Sequence, residues 1–199
     1  HLTATTGLDA LTQLIEPFVC RRPNPLTDAL CKDGLGRCAR SLRTAFARGN
    51  DIEAREEMAL ASLFGGLALA NSGLGAVHGF AAAIGGMFPI AHGAICAALL
   101  PHVWRANVSA ATREKRNDLL DRFTEAACIL AGSDATPQQG GDWLKRLTAD
   151  LNIPALSAGG VRREQFPAIC EKAQRASSMK ANPIDFSNEE LMQILEASF

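Results

Sequence analysis

Two histidines stand in a stretch of the sequence that carries no charged side chain. His78 and His92 lie within VHGFAAAIGGMFPIAHG, residues 77–93, which contains no Asp, Glu, Lys or Arg. His92 follows Pro89 and is expected in the first turn of a helix, where the positive end of the helix dipole disfavours a protonated imidazole. A neutral imidazole is the form that binds a metal ion. The two histidines are therefore candidate nitrogen ligands of one metal site.

Two further candidates lie near the start of the chain. Asp9 and Gln13 are four residues apart, a spacing that places both side chains on one face of a helix. A carboxylate and two neutral imidazoles form an O,N,N set that suits Fe²⁺ or Zn²⁺ and leaves positions open for water or substrate. The spacing does not show that these residues converge, and simpler interpretations stay open. Taken alone, Asp9 fits a capping box with Thr6, and His78 fits a hydrogen-bonded core residue.

Composition excludes several classes of function. The formal net charge of −1 gives no indication of binding to nucleic acid or to an anionic membrane. Residues 58–104 carry no charge, which raises the alternative of a membrane span. Pro89, polar residues and eight glycines instead divide them into lengths typical of buried helices in a globular core. His102 in this region is interpreted as structural. Six cysteines without a CxxC motif predict reduced packing thiols in a cytoplasmic protein. The start lacks a signal-peptide pattern and an initiator Met, which predicts a fragment or a processed chain.

Capping residues, prolines and glycines divide the sequence into about eight or nine helices. The first is expected from a cap at Thr5 or Thr6 to about Val19, with an interruption at Pro17. The others are predicted at about 25–48, 51–71, 73–84, 91–106, 112–132, 136–153, 161–179 and 187–199. Helix formers dominate and strand-like alternation is scarce. The sequence therefore predicts an all-α fold, a single multi-helix bundle over residues 1–199.

Three segments resemble the C-terminal helical domain of the iron-containing (group III) alcohol dehydrogenases. They are TGLDALTQLIEPFVCRRPNPLTDAL near the start, GAVHGFAAAIGGMFPIAHGAICAALLPHV in the middle and ANPIDFSNEELMQIL near the end. The resemblance extends over essentially the whole chain, and its middle segment is highly specific. It implies a dehydroquinate synthase-like helical domain. It also implies that Asp9, His78 and His92 fall on metal-ligand positions.

The sequence departs from the family pattern at two positions. The family motif D-A-x-x-H usually has a ligand histidine where this sequence has Gln13, so Gln13 is a candidate for a weaker amide ligand. Many members have another histidine where this sequence has Ala82, and its absence removes a candidate proton relay near nicotinamide and substrate. Phe80, Ala82 and Met87 are the candidate lining of a substrate pocket, although Phe80 and Met87 also fit plain core positions.

The family's N-terminal dinucleotide-binding domain has no counterpart in these residues, because no strand, glycine-rich turn and helix follow one another. The resemblance implies the metal- and substrate-binding half of a dehydrogenase, with Fe²⁺, Zn²⁺ or another divalent metal as Lewis acid. The full-length enzyme would transfer hydride between a small alcohol or aldehyde and NAD(P). Assembly of the full-length enzyme into a homo-oligomer stays open. The alternatives are a helical module that has lost metal chemistry and serves in binding or assembly, or a maleylacetate or hydroxy-acid reductase.

Overall fold

The computed structural model describes all residues, 1–199, and contains ten α-helices, two short 3₁₀ helices and no β-strand. The α-helices are α1 (Leu2–Val19), α2 (Pro25–Ala47), α3 (Ile52–Asn71), α4 (Ala76–Gly85), α5 (His92–Arg113), α6 (Asn117–Ala131), α7 (Pro137–Asp150), α8 (Phe166–Arg175), α9 (Ser177–Ala181) and α10 (Asn188–Ala197). The 3₁₀ helices, Leu156–Gly159 and Arg163–Gln165, lie between α7 and α8. The all-α prediction is confirmed. The count exceeds eight or nine because the segment predicted as one helix over 161–179 is divided into a 3₁₀ helix, α8 and α9.

Helix α1 lies at the centre of the bundle, in contact with α2, α3, α5 and α6. Its apolar residues recur at helical spacing, and Leu8, Leu11, Leu14 and Phe18 are fully buried. Because helices surround α1 on several sides, even its Glu16 is enclosed by protein. A carboxylate in this position needs partners inside the protein.

Two local predictions for α1 are wrong. The helix begins at Leu2, and the hydroxyls of Thr5 and Thr6 donate to the Leu2 carbonyl at 3.1 and 2.9 Å instead of capping the helix. Asp9 consequently lies inside the helix and not in its first turn. Pro17 does not interrupt α1, because it stands in the last turn, where the missing N–H removes a single hydrogen bond and burial of Phe18 offsets the loss.

Predicted caps are confirmed at the other end of the chain. Thr136 caps α7 in a capping box, with Pro137 at the first helical position. Ser187 and Glu190 form the capping box of α10. These ends are specified locally, by side chains that accept from the first free backbone N–H groups of the helix.

The uncharged region forms most of α3, all of α4 and the first half of α5. Helices α4 and α5 are largely buried, as predicted, whereas α3 exposes Leu60, Leu63 and Leu67. No helix is by itself long and apolar enough to cross a membrane. Helices α3 and α4 taken together have the length and composition of a membrane span, but they are bent by 96° relative to each other.

All six cysteines are free thiols, and Cys128 is the one that is not buried.

Candidate metal centre

One face of α1 carries the polar side chains of the site. Asp9, Gln13 and Glu16 follow one another at spacings of four and three, which align them along the helix. The Gln13 amide nitrogen donates to Asp9 Oδ2 at 3.1 Å. Gln13 therefore orients the Asp9 carboxylate and leaves its other oxygen, Oδ1, directed away from this bond.

Glu16 joins α1 to the start of α4. Its Oε1 accepts the backbone N–H of Val77 at 2.7 Å, and its Oε2 accepts the N–H of Gly75 at 2.8 Å. Oε2 also lies 2.6 Å from His78 Nδ1. The carboxylate thus satisfies free N–H groups at a helix N-terminus, where negative charge is favoured. It also fixes the orientation of the His78 ring.

The His78 ring presents its second nitrogen to Asp9. With Nδ1 held by Glu16, the other ring nitrogen, Nε2, faces Asp9 Oδ1 across 3.4 Å. Both atoms are buried, and neither has a hydrogen-bond partner. Buried polar atoms are normally paired, so this facing pair indicates a position built for a third group between them.

The charges around His78 favour a cation. Burial alone would lower the pKa of His78, but the close approach of the Asp9 carboxylate, the hydrogen bond to Glu16 and the negative charge of both carboxylates raise it to about 9. Burial likewise opposes ionisation of Asp9, yet His78 and His92 hold the pKa of Asp9 below its usual value. Two carboxylates on opposite sides of one imidazole therefore stabilise a positive charge, carried by a proton or by a metal ion in its place.

Helix α5 contributes two more donors. His92 is the first residue of α5, and its Nε2 lies 3.6 Å from Asp9 Oδ1. Its side chain is 52% exposed, so the site opens to solvent on this side. Cys96 lies one turn further on, with its Sγ 3.5 Å from His92 Nε2. Burial, together with the charges of Asp9 and Glu16, raises the pKa of the Cys96 thiol.

The donor atoms fit a metal ion. One ligand atom from each of Asp9, His78, His92 and Cys96 lies within 4.8 Å of the others. Metal–ligand bonds of about 2.0–2.2 Å place the O and N ligands of a tetrahedral site about 3.4 Å apart. The observed separations of 3.4 and 3.6 Å from Asp9 Oδ1 to the two Nε2 atoms match that value. Asp9 thus lies beside His78 and His92, although more than 60 residues separate it from either histidine in sequence.

The other predicted residues lie outside this cluster. Phe80 is fully buried in the hydrophobic core, as the plain core interpretation expects, whereas Ala82 is exposed and Met87 is half-buried. His102 is half-buried, and burial followed by the charges of Lys145 and Arg105 lowers its pKa. A substrate-facing role therefore remains a prediction for Ala82 and Met87, and Phe80 is placed for packing.

The comparison with family models decides the family. Residues 3–199 match the model described as Fe-containing alcohol dehydrogenase family, C-terminal. The chain belongs to this family. The 1,3-propanediol dehydrogenase of Citrobacter freundii is 38% identical over 199 residues, which are 100% of this chain and 51% of that protein. Alcohol dehydrogenase 4 of Saccharomyces cerevisiae is 36% identical over 100% of this chain and 50% of its own length.

Solved structures of the same family have the same fold. An alcohol dehydrogenase from Oenococcus oeni superposes with a TM-score of 0.90 at 32% identity, covering 100% of this chain and 51% of that chain. A 1,3-propanediol oxidoreductase gives 0.89 at 33% identity, with 98% and 51% covered. A maleylacetate reductase from Rhizobium sp. strain MTP-10005 gives 0.83 at 23% identity, which shows a shared fold alone. The chain spans about half the length of the curated relatives it matches and corresponds to the C-terminal domain of the family.

Two residues of the centre were missed by the sequence analysis. Glu16 lies seven residues after Asp9, and Cys96 lies four residues after His92. Both spacings place the side chains on one helix face. The helical spacing could therefore have indicated both residues. Cys96 was not chosen because a free cysteine in an apolar helix is ordinarily a packing residue.

Helices α1 and α5 lie in close contact at Gly93, and this contact holds His92 near Asp9. The contact requires a residue without a side chain. A Cβ at Gly93 would lie 2.6 Å from the Thr5 carbonyl oxygen, a backbone atom that cannot rotate away. We expect Gly93→Ala to push the two helices apart and to lower both stability and metal affinity, by about 1–3 kcal/mol for stability. Chemical unfolding and metal titration measure the two effects.

Gly66→Ala is the matched control for this prediction. Gly66 lies in α3, and a Cβ there meets nothing within 4 Å. The alanine should raise stability by about 0.5–1 kcal/mol through its helix propensity and leave metal affinity unchanged. Equal metal affinities in the two variants would show that the contact at Gly93 does not position His92.

Proposed function

We propose that this chain is the metal- and substrate-binding half of an NAD(P)-linked alcohol dehydrogenase that acts on small alcohols and aldehydes. Membership of the family and the names of its relatives, alcohol dehydrogenases and 1,3-propanediol dehydrogenases, support the reaction class. The observation that carries the proposal is the facing pair of buried, unpartnered atoms, Asp9 Oδ1 and His78 Nε2. A metal ion between these two atoms would give each of them a partner.

Each residue of the centre has a distinct role in this proposal. Asp9, His78 and His92 hold a divalent metal, Fe²⁺, Zn²⁺ or a similar ion. When bound, the metal supplies Lewis-acid polarisation of the substrate oxygen. Glu16 fixes the His78 tautomer with Nε2 free, and Gln13 orients Asp9 through Oδ2. We assign Gln13 this orienting role in preference to that of a ligand, because its amide nitrogen already faces Asp9.

The substrate is expected to approach from the side of His92. This histidine is half exposed, whereas His78 is only 6% exposed and closes the opposite side of the centre. Small or apolar side chains such as Ala82 and Met87 suit a small alcohol better than a charged substrate. Activity profiles of a full-length dehydrogenase containing this chain, with alcohols, maleylacetate and hydroxy acids, distinguish the substrate classes.

The metal part of the proposal is tested by loading the chain. The protein is incubated with Zn²⁺, or with Fe²⁺ without oxygen, freed of excess metal and analysed for metal per chain. We expect one ion per chain in the native protein and much less in Asp9→Asn, which keeps the size of the side chain and removes its charge. A native chain that retains no metal under any loading condition would favour the alternative of a binding or assembly module.

The 199-residue chain by itself is expected to have no dehydrogenase activity. Hydride transfer requires the nicotinamide to be held close to the substrate carbon, and this positioning supplies much of the rate. The family's dinucleotide-binding unit is built on a β-strand and a glycine-rich turn, and these residues contain no strand. NAD(P) binding and alcohol oxidation are measured on metal-loaded chain, beside a full-length dehydrogenase that contains it. Turnover near the full-length rate would refute the division into two halves.

A further inference from the structure

We propose that Cys96 is a fourth protein ligand of the metal, bound as a thiolate, and that it gives the centre a preference for Zn²⁺ over Fe²⁺. This inference rests on the proposed function, since it requires that a metal binds between Asp9 and His78. It adds a sulfur donor to the O,N,N set and so changes the kind of metal that the site selects.

Helix α5 aims Cys96 at the other donors. His92 and Cys96 are four residues apart and therefore share one face of α5. The Cys96 side chain is fully buried, and its Sγ lies 3.5 Å from His92 Nε2. All four donor atoms lie within 4.8 Å of one another. The thiol thus borders the same point as Asp9 Oδ1 and the two imidazole nitrogens.

The unpartnered His78 Nε2 is an independent indication that a ligand belongs at this point. His78 is 6% exposed, and this atom has no hydrogen-bond partner although it is buried. A metal ion bound at this point would lie beside the Cys96 thiol.

The distance between Cys96 Sγ and His92 Nε2 fits a tetrahedral ion with one sulfur ligand. With a metal–sulfur bond of about 2.3 Å and metal–nitrogen bonds of about 2.0–2.1 Å, tetrahedral S and N ligands lie about 3.5 Å apart. The observed separation of Cys96 Sγ and His92 Nε2 is 3.5 Å. The amide nitrogen of Gln13 donates to Asp9 Oδ2, and its oxygen, the atom that could bind a metal, lies on the side of Gly65 in α3, 3.5 Å from where a Cβ of that residue would be.

Coordination balances with the release of one proton. As the sulfur binds, the S–H bond of Cys96 breaks, its electron pair forms the sulfur–metal bond, and the proton passes to solvent. Thiolate is a soft ligand that suits Zn²⁺ better than Fe²⁺. Three-ligand catalytic sites keep a fourth position open, which Cys96 would fill, so the substrate oxygen of the proposed reaction would have to bind as a fifth ligand. The chain would then hold its metal more tightly and have a less open coordination sphere.

Cobalt spectroscopy tests this ligand directly. Co²⁺ is titrated into the native chain, Cys96→Ser and Cys38→Ser, where Cys38 is a buried thiol of α2 outside the metal centre. We expect a near-ultraviolet sulfur-to-cobalt charge-transfer band in the native chain and in Cys38→Ser, and none in Cys96→Ser. Loss of an outer-shell partner costs about 10–100-fold in metal affinity, so loss of a direct ligand should weaken Zn²⁺ binding by about 100-fold or more. The preference for Zn²⁺ over Fe²⁺ should fall in Cys96→Ser alone.

Each outcome separates this inference from the proposed function. Co²⁺ binding without the charge-transfer band overturns the thiolate ligand and leaves the metal centre intact. A band that persists in Cys96→Ser overturns it as well, whereas no Co²⁺ binding at all contradicts both proposals. If Cys96→Ser does not fold, X-ray absorption of the native chain with Zn²⁺ decides the question. A sulfur neighbour at about 2.3 Å supports Cys96, and nitrogen or oxygen neighbours alone overturn it.

Discussion

The His78→Ala variant is expected to lose tight metal binding, with an affinity for Zn²⁺ reduced by more than about 100-fold, the upper end of what loss of an outer-shell partner costs. His78 is the most enclosed of the nitrogen donors, and its Nε2 faces Asp9 Oδ1 across 3.4 Å. Alanine removes this donor and also leaves Glu16 without its imidazole partner. Calorimetric titration of metal-free protein measures the change.

His102→Ala is the matched control for this experiment. His102 is a half-buried histidine of α5 that lies ten residues after His92 and outside the metal centre. It should retain the metal affinity of the native chain, and circular dichroism should show both variants to be helical. Similar affinities for His78→Ala and the native chain would contradict the metal centre placed between α1, α4 and α5.

Replacing Glu16 by alanine should give the largest loss of stability among the variants considered, about 3–5 kcal/mol, as expected when one partner of a buried ion pair is removed. Three donors lose their acceptor at once: the N–H groups of Gly75 and Val77, and His78 Nδ1. Each buried donor left unsatisfied costs about 1–3 kcal/mol. Urea unfolding measures the loss. The exposed carboxylate of Glu171, paired with Arg175 in α8, is the control, and Glu171→Ala should cost less than about 0.5 kcal/mol.

The conservative variant Glu16→Gln separates folding from metal binding. The amide keeps the size of the side chain but has one acceptor oxygen for three donors, so His78 loses its fixed tautomer. We expect Zn²⁺ affinity to fall by about 10–100-fold. Asn182→Ala is its control, because Asn182 also holds the start of α4, through Ala76 N–H at 3.1 Å, without contacting a histidine. If both variants weaken Zn²⁺ binding equally, Glu16 only anchors α4.

The elements of the fold that were predictable from sequence are those specified by neighbouring residues. Thr136 and Ser187 form local capping boxes, and both helices begin where these residues predict. The start of α1 was misplaced because Thr5 and Thr6 match a cap in sequence, whereas their hydroxyls bond back to Leu2 within the helix. Whether such a residue caps a helix or lies inside it depends on packing at its end.

The metal centre was predictable only in part, because its donors come from three helices. Asp9, His78 and His92 were recognised by residue type and by resemblance to the family. Glu16 and Cys96 were not, since their roles appear only when α1, α4 and α5 are packed together. Glu16 of α1 holds the N-terminus of α4 and the His78 imidazole only after the two helices have packed together. The residues next to Glu16 in sequence do not indicate this contact.

Anomalous diffraction from crystals of the metal-loaded chain shows directly whether Asp9, His78 and His92 hold a metal ion. Data collected on both sides of the Zn absorption edge locate the ion without assumptions about its ligands. We expect one strong peak between Asp9 Oδ1, His78 Nε2 and His92 Nε2, with bonds of about 2.0–2.2 Å to each. A peak elsewhere in the chain, or none in protein that was saturated with Zn²⁺, would contradict it.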